Sequence, residues 1–177
     1  DIQDIEFPDL IKVRGYNPAI ESDLSTIGKA TELLLAAQRP IIMSGGGVIL
    51  AGAFSELEVL AELLMAPVVT TFKGKGSFPE NHPLAMGPIG MHGHAEANKI
   101  ILEADCILAI GARFSDRSVG RFDEFGKGMN IIHMDIDPAE IGKNKTVDVA
   151  IVGDVKSSMK TMIKLLNKKM VKHGTEE

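Results

Sequence analysis

The chain has 177 residues, of which 45% are hydrophobic and 24% are charged, with a formal net charge of −5. This length fits one domain, and the composition is that of a globular protein rather than of a disordered or fibrous one. Lysine and arginine are scattered, apart from a small cluster near the C-terminus, which argues against a nucleic-acid partner. We therefore expect one packed domain that binds no nucleic acid.

The single cysteine and the hydropathy pattern limit the setting of the protein. Cys106 lies in the apolar run CILAIG, so no internal disulfide can form and the thiol is expected to pack as a small hydrophobe. This fits a reducing, cytoplasmic setting. No apolar run reaches the roughly 18 residues of a membrane span, and no signal peptide is evident, so no membrane partner is expected. The start at Asp1, without Met, is typical of an internal fragment or a processed product.

Helical periodicity appears in four places along the chain. Residues 1–22 have no clear period and are predicted to form an N-terminal linker, and 170–177 a frayed tail, with the domain between them at 23–169. Asp23 is a candidate N-cap for the first helix, which Pro40 should stop. The other predicted helices cover 54–65, 95–104 and the segment after Asp154.

Short apolar runs alternate with these helices, which is typical of parallel strands covered on both faces. The runs occupy 41–44, 68–71, 106–110, 131–135 and 149–152. We predict an α/β fold with a doubly wound, mostly parallel sheet of five or six strands and helices on both faces, of the Rossmann-like type that binds NAD or FAD.

In such sheets ligands bind beyond the carboxyl ends of the strands, so the residues after each run are the candidate site. Gly45, Gly46 and Gly47 follow the first run and could bring backbone N–H groups close to a phosphate, although a plain tight turn is an equal alternative. Thr71 and Phe72 open a Gly- and Lys-rich stretch after the second run, which suits a phosphate or an ordinary surface loop.

The segment before the third helix contains Gly90, Met91 and His92 and directs N–H groups at a possible ligand. His92 and His94 could suggest a metal pair, but no further ligand residue stands at a suitable spacing, so no metal site is predicted.

Charged residues follow the later strands. Arg113, after Gly111 and Ala112, can hold a phosphate bidentately, whereas Arg117 beside Asp116 could be a surface ion pair. Asp135 is predicted to accept hydrogen bonds from ribose hydroxyls and Asp137 to be structural. Asp154 could contact adenine, cap the last helix, or do both. Together these strand ends predict a dinucleotide site, and no catalytic residue is identified.

These residues also resemble a known family, the acetolactate (acetohydroxyacid) synthase large subunit, in its middle domain. The motifs are GGGVI at 45–49, GKG at 74–76 with HPL at 82–84, GMHG at 90–93, GARF at 111–114 followed by Asp116 and Arg117, and IIHMDIDPAEIGKN at 131–144. The resemblance implies that this domain binds FAD, without a redox role, while other domains of the parent enzyme bind thiamine diphosphate and Mg.

The resemblance also implies which residues contact the flavin and what the parent enzyme does. The contacts fall on Gly46, Thr71, Phe72, Ile89, Gly90, Met91, His92, Gly111, Arg113, Asp116, Asp135, Ile136, Asp154 and Val155. The parent would join two pyruvates, or pyruvate and 2-oxobutyrate, with loss of carbon dioxide, as a homo-oligomer with a regulatory subunit. This chain alone would not be catalytic.

The chain departs from the family pattern at Phe72-Lys73, where Leu-Met is usual, and at Ser118-Val119, where Val-Thr is usual. Two alternatives stay open at this point. One is the middle domain of another thiamine-diphosphate enzyme, such as pyruvate oxidase, glyoxylate carboligase, or a sulfoacetaldehyde or oxalyl-CoA enzyme. The other is a free-standing nucleotide-binding module.

Overall fold

A computed structural model describes residues 21–120 and 125–173. Its centre is a six-stranded sheet in the order β3-β2-β1-β4-β5-β6, and every neighbouring pair of strands is parallel. The strands are β1 Pro40–Ser44, β2 Val68–Thr70, β3 Ala85–Pro88, β4 Cys106–Ile110, β5 Asn130–Asp135 and β6 Val149–Val152. The predicted doubly wound α/β fold is confirmed.

Six helices accompany these strands in the described part of the chain. They are α1 Leu24–Ala36, α2 Gly46–Leu50, α3 Phe54–Leu64, α4 Ala95–Glu103, α5 Asp116–Val119 and α6 Val155–His173, with a short 3-10 turn at Phe72–Gly74. Of these, α1 precedes β1 and α6 follows β6. Asp23 caps α1 as predicted, because its carboxylate accepts the Ser25 N–H at 3.2 Å. Most of the predicted linker, residues 1–20, lies outside the described residues.

Two helix ends differ from the sequence prediction. Helix α1 ends at Ala36, before Pro40, because the Asp105 carboxylate accepts the N–H groups of Gln38 and Arg39 at 2.8 and 2.9 Å and holds them in an extended turn. Helix α6 runs to His173, into the segment predicted to fray, because no helix breaker occurs before Gly174.

The strand β3, Ala85–Pro88, is missing from the predicted strands and supplies the sixth. It lies at the edge of the sheet, pairs only with β2, and is half-buried along its whole length. Its sequence AMGP has neither an apolar run nor a clean alternation, and Gly87 has a φ of +84°. An edge strand of this kind leaves a weak signal in sequence because only part of its surface is packed.

Two hydrophobic clusters cover the two faces of the sheet. Alternate strand residues point to opposite faces, so Ile42, Leu108 and Ile132 pack with α1, α3 and α6 on one side. Ile41 and Ile107 pack with α4 and the loop after β4 on the other. Cys106 is buried, and burial raises the pKa of its thiol to about 12, so it packs as the predicted small hydrophobe.

None of the helices within residues 21–120 and 125–173 combines the length and the apolar composition that crossing a bilayer would require.

We expect the chain to fold cooperatively without a bound flavin, because both faces of the sheet are covered by protein residues alone. Far-UV circular dichroism of the ligand-free chain should give an α/β spectrum and one sigmoidal melt. A disordered spectrum without a transition would show that a ligand or further domains complete the core.

Candidate cofactor-binding site

The sheet order gathers the predicted site residues along one side of the sheet, at the carboxyl ends of its strands. The carboxyl ends of all six strands lie there, and the strand order reverses between β1 and β4, which is where doubly wound sheets bind ligands. Along these strand ends, the loops follow in the order 89–93, 71–72, 45–47, 111–116, 135–136 and 154–155. Residues distant in sequence are thus brought into one row.

Two of the glycines after β1 allow the backbone to pass close to the backbone that follows β4. The Gly45 N–H donates to the Ile110 carbonyl at 2.8 Å, and the Gly47 N–H donates to the Gly111 carbonyl at 3.1 Å. A Cβ at Gly45 would lie 2.0 Å from the Gly111 oxygen, and one at Gly47 would lie 2.6 Å from the Gly111 Cα. These two glycines are therefore required by the turn itself.

Gly46 has a different environment. A Cβ there would meet the Lys73 Cβ at 3.2 Å and the Lys73 carbonyl oxygen at 3.3 Å, at the junction of α2 and the 3-10 turn. This backbone faces a loop that carries a cation rather than the neighbouring strand end. Of the three glycines, Gly46 is the one that the crossing of β1 and β4 does not require.

Thr71 and Phe72 begin the turn after β2. The Thr71 hydroxyl accepts the Gly74 N–H at 3.1 Å and so caps the turn, while the Phe72 side chain is 80% exposed. Ile89, after β3, donates its N–H to the Thr70 carbonyl at 2.9 Å, but its side chain is buried in the second cluster. Only the backbone of Ile89 is therefore placed to meet a ligand.

Gly90 and Met91 join the loop after β3 to the loop after β4. Gly90 has a φ of +100°, its N–H donates to the Asn98 side chain at 2.8 Å, and a Cβ there would lie 2.1 Å from the Arg117 oxygen. Met91 donates its N–H to that same oxygen at 3.1 Å and exposes 78% of its surface. His92 is exposed next to it.

The Arg113 side chain is 74% exposed, and its Nε lies 3.8 Å from a Glu140 carboxylate oxygen. The Glu140 side chain is only 11% exposed, but it also pairs with Lys143 at 3.0 Å, so the exposed guanidinium is held only by a long contact and is available to an anion. The Asn144 side chain donates to the Arg113 carbonyl at 3.0 Å and holds the backbone of this loop. Asp116 opens α5, and its carboxylate accepts the Arg117 N–H at 2.8 Å.

Asp135 is buried at the end of β5, and its Oδ1 accepts the Asp137 N–H at 2.9 Å. Asp137 accepts the Ala139 N–H at 2.9 Å, which is the structural role predicted for it. Ile136, between them, is exposed. The carboxylate of Asp135 therefore lies at the strand end where sequence predicts a contact with ribose hydroxyls.

Asp154 caps α6, because its Oδ1 accepts the Ser157 N–H at 2.8 Å, so one of its two predicted roles is present in the structure. The Val155 side chain belongs to the first hydrophobic cluster. A ligand contact at Val155 can therefore involve only its backbone.

One group of possible metal ligands occurs within the described residues, formed by Glu58, Glu62 and His82 rather than by His92 and His94. The Nδ1 atom of His82 accepts the Leu84 N–H at 3.1 Å, which places the ring proton on Nε2, 3.3 Å from Glu62. A metal ligand needs a nitrogen without a proton and usually donates from the other one. In this structure His82 and Glu62 therefore form a hydrogen bond, with Glu58 beside them.

A cavity of about 250 Å³ lies beside the edge strand, lined by residues that include Thr70, Lys75, Phe78, Gly87 and His94. It is smaller than the clefts of roughly 300 to 1,000 Å³ that usually hold small molecules. It also lies away from the switch point between β1 and β4. A dinucleotide would instead extend along the open strand ends.

Sequence reasoning misses three residues around Arg113. Glu140 and Asn144 contact it from the loop after β5, and His133 is a buried histidine in the middle of β5. Burial lowers the pKa of the His133 ring, although Asp135 and Glu140 oppose this effect. The available signal for His133 is a polar residue inside the run IIHMDID.

The strand order and the all-parallel pairing define a doubly wound α/β domain. The family model described as "Thiamine pyrophosphate enzyme, central domain" matches residues 27–162. The chain therefore belongs to the family of thiamine pyrophosphate enzyme central domains.

Curated relatives agree with the resemblance seen in the sequence. The chain is 50% identical over 174 residues to a probable acetolactate synthase large subunit of Methanococcus aeolicus, which covers 94% of this chain and 29% of the relative. It is 47% identical to a protein of the same description from Methanocaldococcus jannaschii, over 94% of this chain and 28% of the relative. An acetolactate synthase of Arthrospira platensis is 43% identical, over 88% of this chain and 28% of the relative. The chain thus spans less than a third of these relatives.

Proposed function

We propose that the chain is the FAD-binding central domain of an acetolactate synthase large subunit. The observation that carries this proposal is the identity of 43 to 50% to proteins of that description over most of the chain. The parent enzyme condenses two pyruvates, or pyruvate and 2-oxobutyrate, with loss of carbon dioxide, in the biosynthesis of branched-chain amino acids.

In this proposal the other components belong to the parent protein. Thiamine diphosphate and Mg are bound by outer domains of the parent chain, against which this domain packs. The parent is a cytoplasmic homo-oligomer with a regulatory subunit. The family membership supports thiamine diphosphate, and the fact that the two archaeal relatives are large subunits supports a partnered parent chain.

The residues at the strand ends have the chemistry that FAD needs. The cofactor combines an anionic diphosphate, ribose hydroxyls and flat aromatic rings, and it is too long for a closed cavity of the size present here. The row of strand ends offers a backbone without side chain at Gly46, a cation at Arg113, and a carboxylate at Asp135. Phe72 and Met91 add exposed apolar surface.

Each of these groups has a distinct task toward the bound cofactor. Gly46 allows the backbone to approach the diphosphate, and Arg113 binds its oxygens bidentately. The second oxygen of Asp135 accepts a ribose hydroxyl, while Phe72 and Met91 exclude water from the rings. Bound FAD supplies no electron transfer to the main reaction, so these residues act by holding the cofactor in place.

We predict that the full-length parent, purified and then denatured, releases FAD. The flavin should appear in the absorbance and fluorescence spectra of the supernatant and be identified as the dinucleotide by chromatography. Release of NAD or NADP would instead show that the strand ends hold a different dinucleotide, and it would contradict the flavin assignment. A spectrum without any cofactor, even after incubation with FAD, would contradict the proposed cofactor role.

We predict that the isolated chain produces no acetolactate from pyruvate when thiamine diphosphate and Mg are added. The physical reason is that the strand-end residues bind and position but include no nucleophile, paired acid or metal ligand set for this chemistry. The measurement is the colour assay for acetoin after acid treatment, with the full-length parent as the positive control. Acetolactate formed by the isolated chain would contradict the assignment as a central domain.

A further inference from the structure

The buried side chain of His133 lies where the two neighbouring strands carry small side chains. It lies in the middle of β5 and is fully buried, and its partners in register are Ala109 on β4 and Ala150 on β6. Two alanines leave space beside the imidazole. The Phe114 ring meets it edge-on, with the ring centroids 5.0 Å apart.

The polar atoms of this ring are not satisfied within the domain. Neither nitrogen has a hydrogen-bond partner among the residues that the structure describes. The Ala112 backbone favours the protonated ring and so raises its pKa, although burial lowers the pKa more. Only a hydrogen-bond acceptor can favour the protonated form, so the group of Ala112 that acts on the ring is its carbonyl. The geometry falls short of a hydrogen bond. A buried polar group left in this state needs an explanation, because an apolar side chain would pack there without loss.

The two groups that His133 meets lie on either side of Arg113. Ala112 precedes the arginine and Phe114 follows it, and Phe114 adopts a φ of +47°, in the left-handed region that bulky residues rarely occupy. Phe114 is also buried, so packing against His133 and Phe125 holds this backbone in place. The backbone on both sides of Arg113 therefore lies next to the His133 ring.

We propose that His133 is a positioning residue for Arg113. Its ring supports Phe114, and its N–H group donates to the Ala112 carbonyl when a ligand draws the loop down, so that the guanidinium points along the row of strand ends. The proposal rests on the proposed function in one respect, namely that the ligand of Arg113 is the diphosphate of FAD.

The first test uses the ligand-free protein and does not depend on FAD. In the full-length parent, His133→Leu removes the polar atoms but keeps an apolar side chain, while His133→Asn and His133→Gln restore an amide donor at the position of either ring nitrogen. We expect the leucine variant to melt at or above the wild-type temperature, yet to exchange the amide hydrogens of residues 111–116 about tenfold faster. One of the two amide variants should restore slow exchange.

The second test measures the dissociation constant for FAD by flavin fluorescence. His133→Leu should weaken binding about tenfold, as expected when one charge-assisted contact is misdirected. If His133 acts through Arg113, the double variant with Arg113→Ala should bind no more weakly than Arg113→Ala alone. Additive losses would overturn the proposal.

The outcomes separate this inference from the proposed function. Failure of the wild-type parent to bind FAD would overturn the cofactor role, while the exchange measurement would still decide the role of His133. Unchanged exchange at 111–116 in the leucine variant would overturn the positioning role. So would faster exchange that neither amide variant corrects, because the ring would then serve packing alone.

Discussion

A Gly45→Ala substitution is expected to lower the free energy of unfolding of the ligand-free chain by about 3 kcal/mol or more, because overpacking against backbone cannot be relieved by a rotamer change. The new Cβ would lie 2.0 Å from the Gly111 oxygen and 2.6 Å from the Ala112 Cα. The conformation of Gly45 is extended, so the cost comes from the contact and not from its dihedral angles. Because β1 and β4 are hydrogen-bonded up to this point, moving them apart would break the sheet at its switch point.

Urea and thermal unfolding measure this effect. At about 2 to 4 °C per kcal/mol for a domain of this size, the melting temperature should fall by roughly 6 to 12 °C. The matched control is Gly28→Ala in α1, where an added Cβ meets no atom within 4 Å. Alanine there should stabilise the helix by about 0.5 to 1 kcal/mol. A Gly45→Ala chain that melts with the wild type would refute the close crossing of the two strand ends.

The strands that are buried on both faces are those that sequence predicts well. All residues of Cys106–Ile110 are buried, and the run has the predicted bounds because each residue packs against one helical layer or the other. Strand β3 shows the limit, since its packing involves one neighbour and its Gly87 and Pro88 resemble a turn. Its pairing with β2 is a tertiary effect that no local pattern records.

The location of the candidate site follows from sequence, whereas the tasks of its residues do not. Parallel strands end at one edge, so residues after each apolar run must converge there. Which of Gly45, Gly46 and Gly47 lie against the end of β4, and which lies against Lys73, depends on the register in which Ser44 pairs with Ile110, and that register is set by the whole sheet. Likewise, His133 looks like a break in an apolar run until its neighbours across the strands are known.

Arg113→Ala and Asp135→Asn, each made in the full-length parent, are expected to weaken FAD binding by about ten- to a hundredfold, because each removes one charge-assisted interaction of roughly 1.5 to 3 kcal/mol. Arg113 is exposed and only loosely paired, so its loss should leave the melting temperature of the ligand-free protein unchanged. Asparagine at 135 keeps the oxygen that accepts the Asp137 N–H, so the turn after β5 is retained and only the charge is lost. Flavin fluorescence during titration measures the dissociation constants.

Arg39→Ala is the matched control, because its guanidinium donates to the Glu103 carbonyl at 2.7 Å, beside the first residue of β1 and far from the carboxyl ends of the strands. This variant loses the same charge as Arg113→Ala, and it should bind FAD as tightly as the wild type. A general effect of net charge on an anionic cofactor would weaken both arginine variants alike, whereas a direct contact weakens only the one at the strand ends. If Arg113→Ala and Asp135→Asn melt below the wild type but keep its FAD affinity, these residues stabilise their loops, and the cofactor must bind elsewhere on the parent protein.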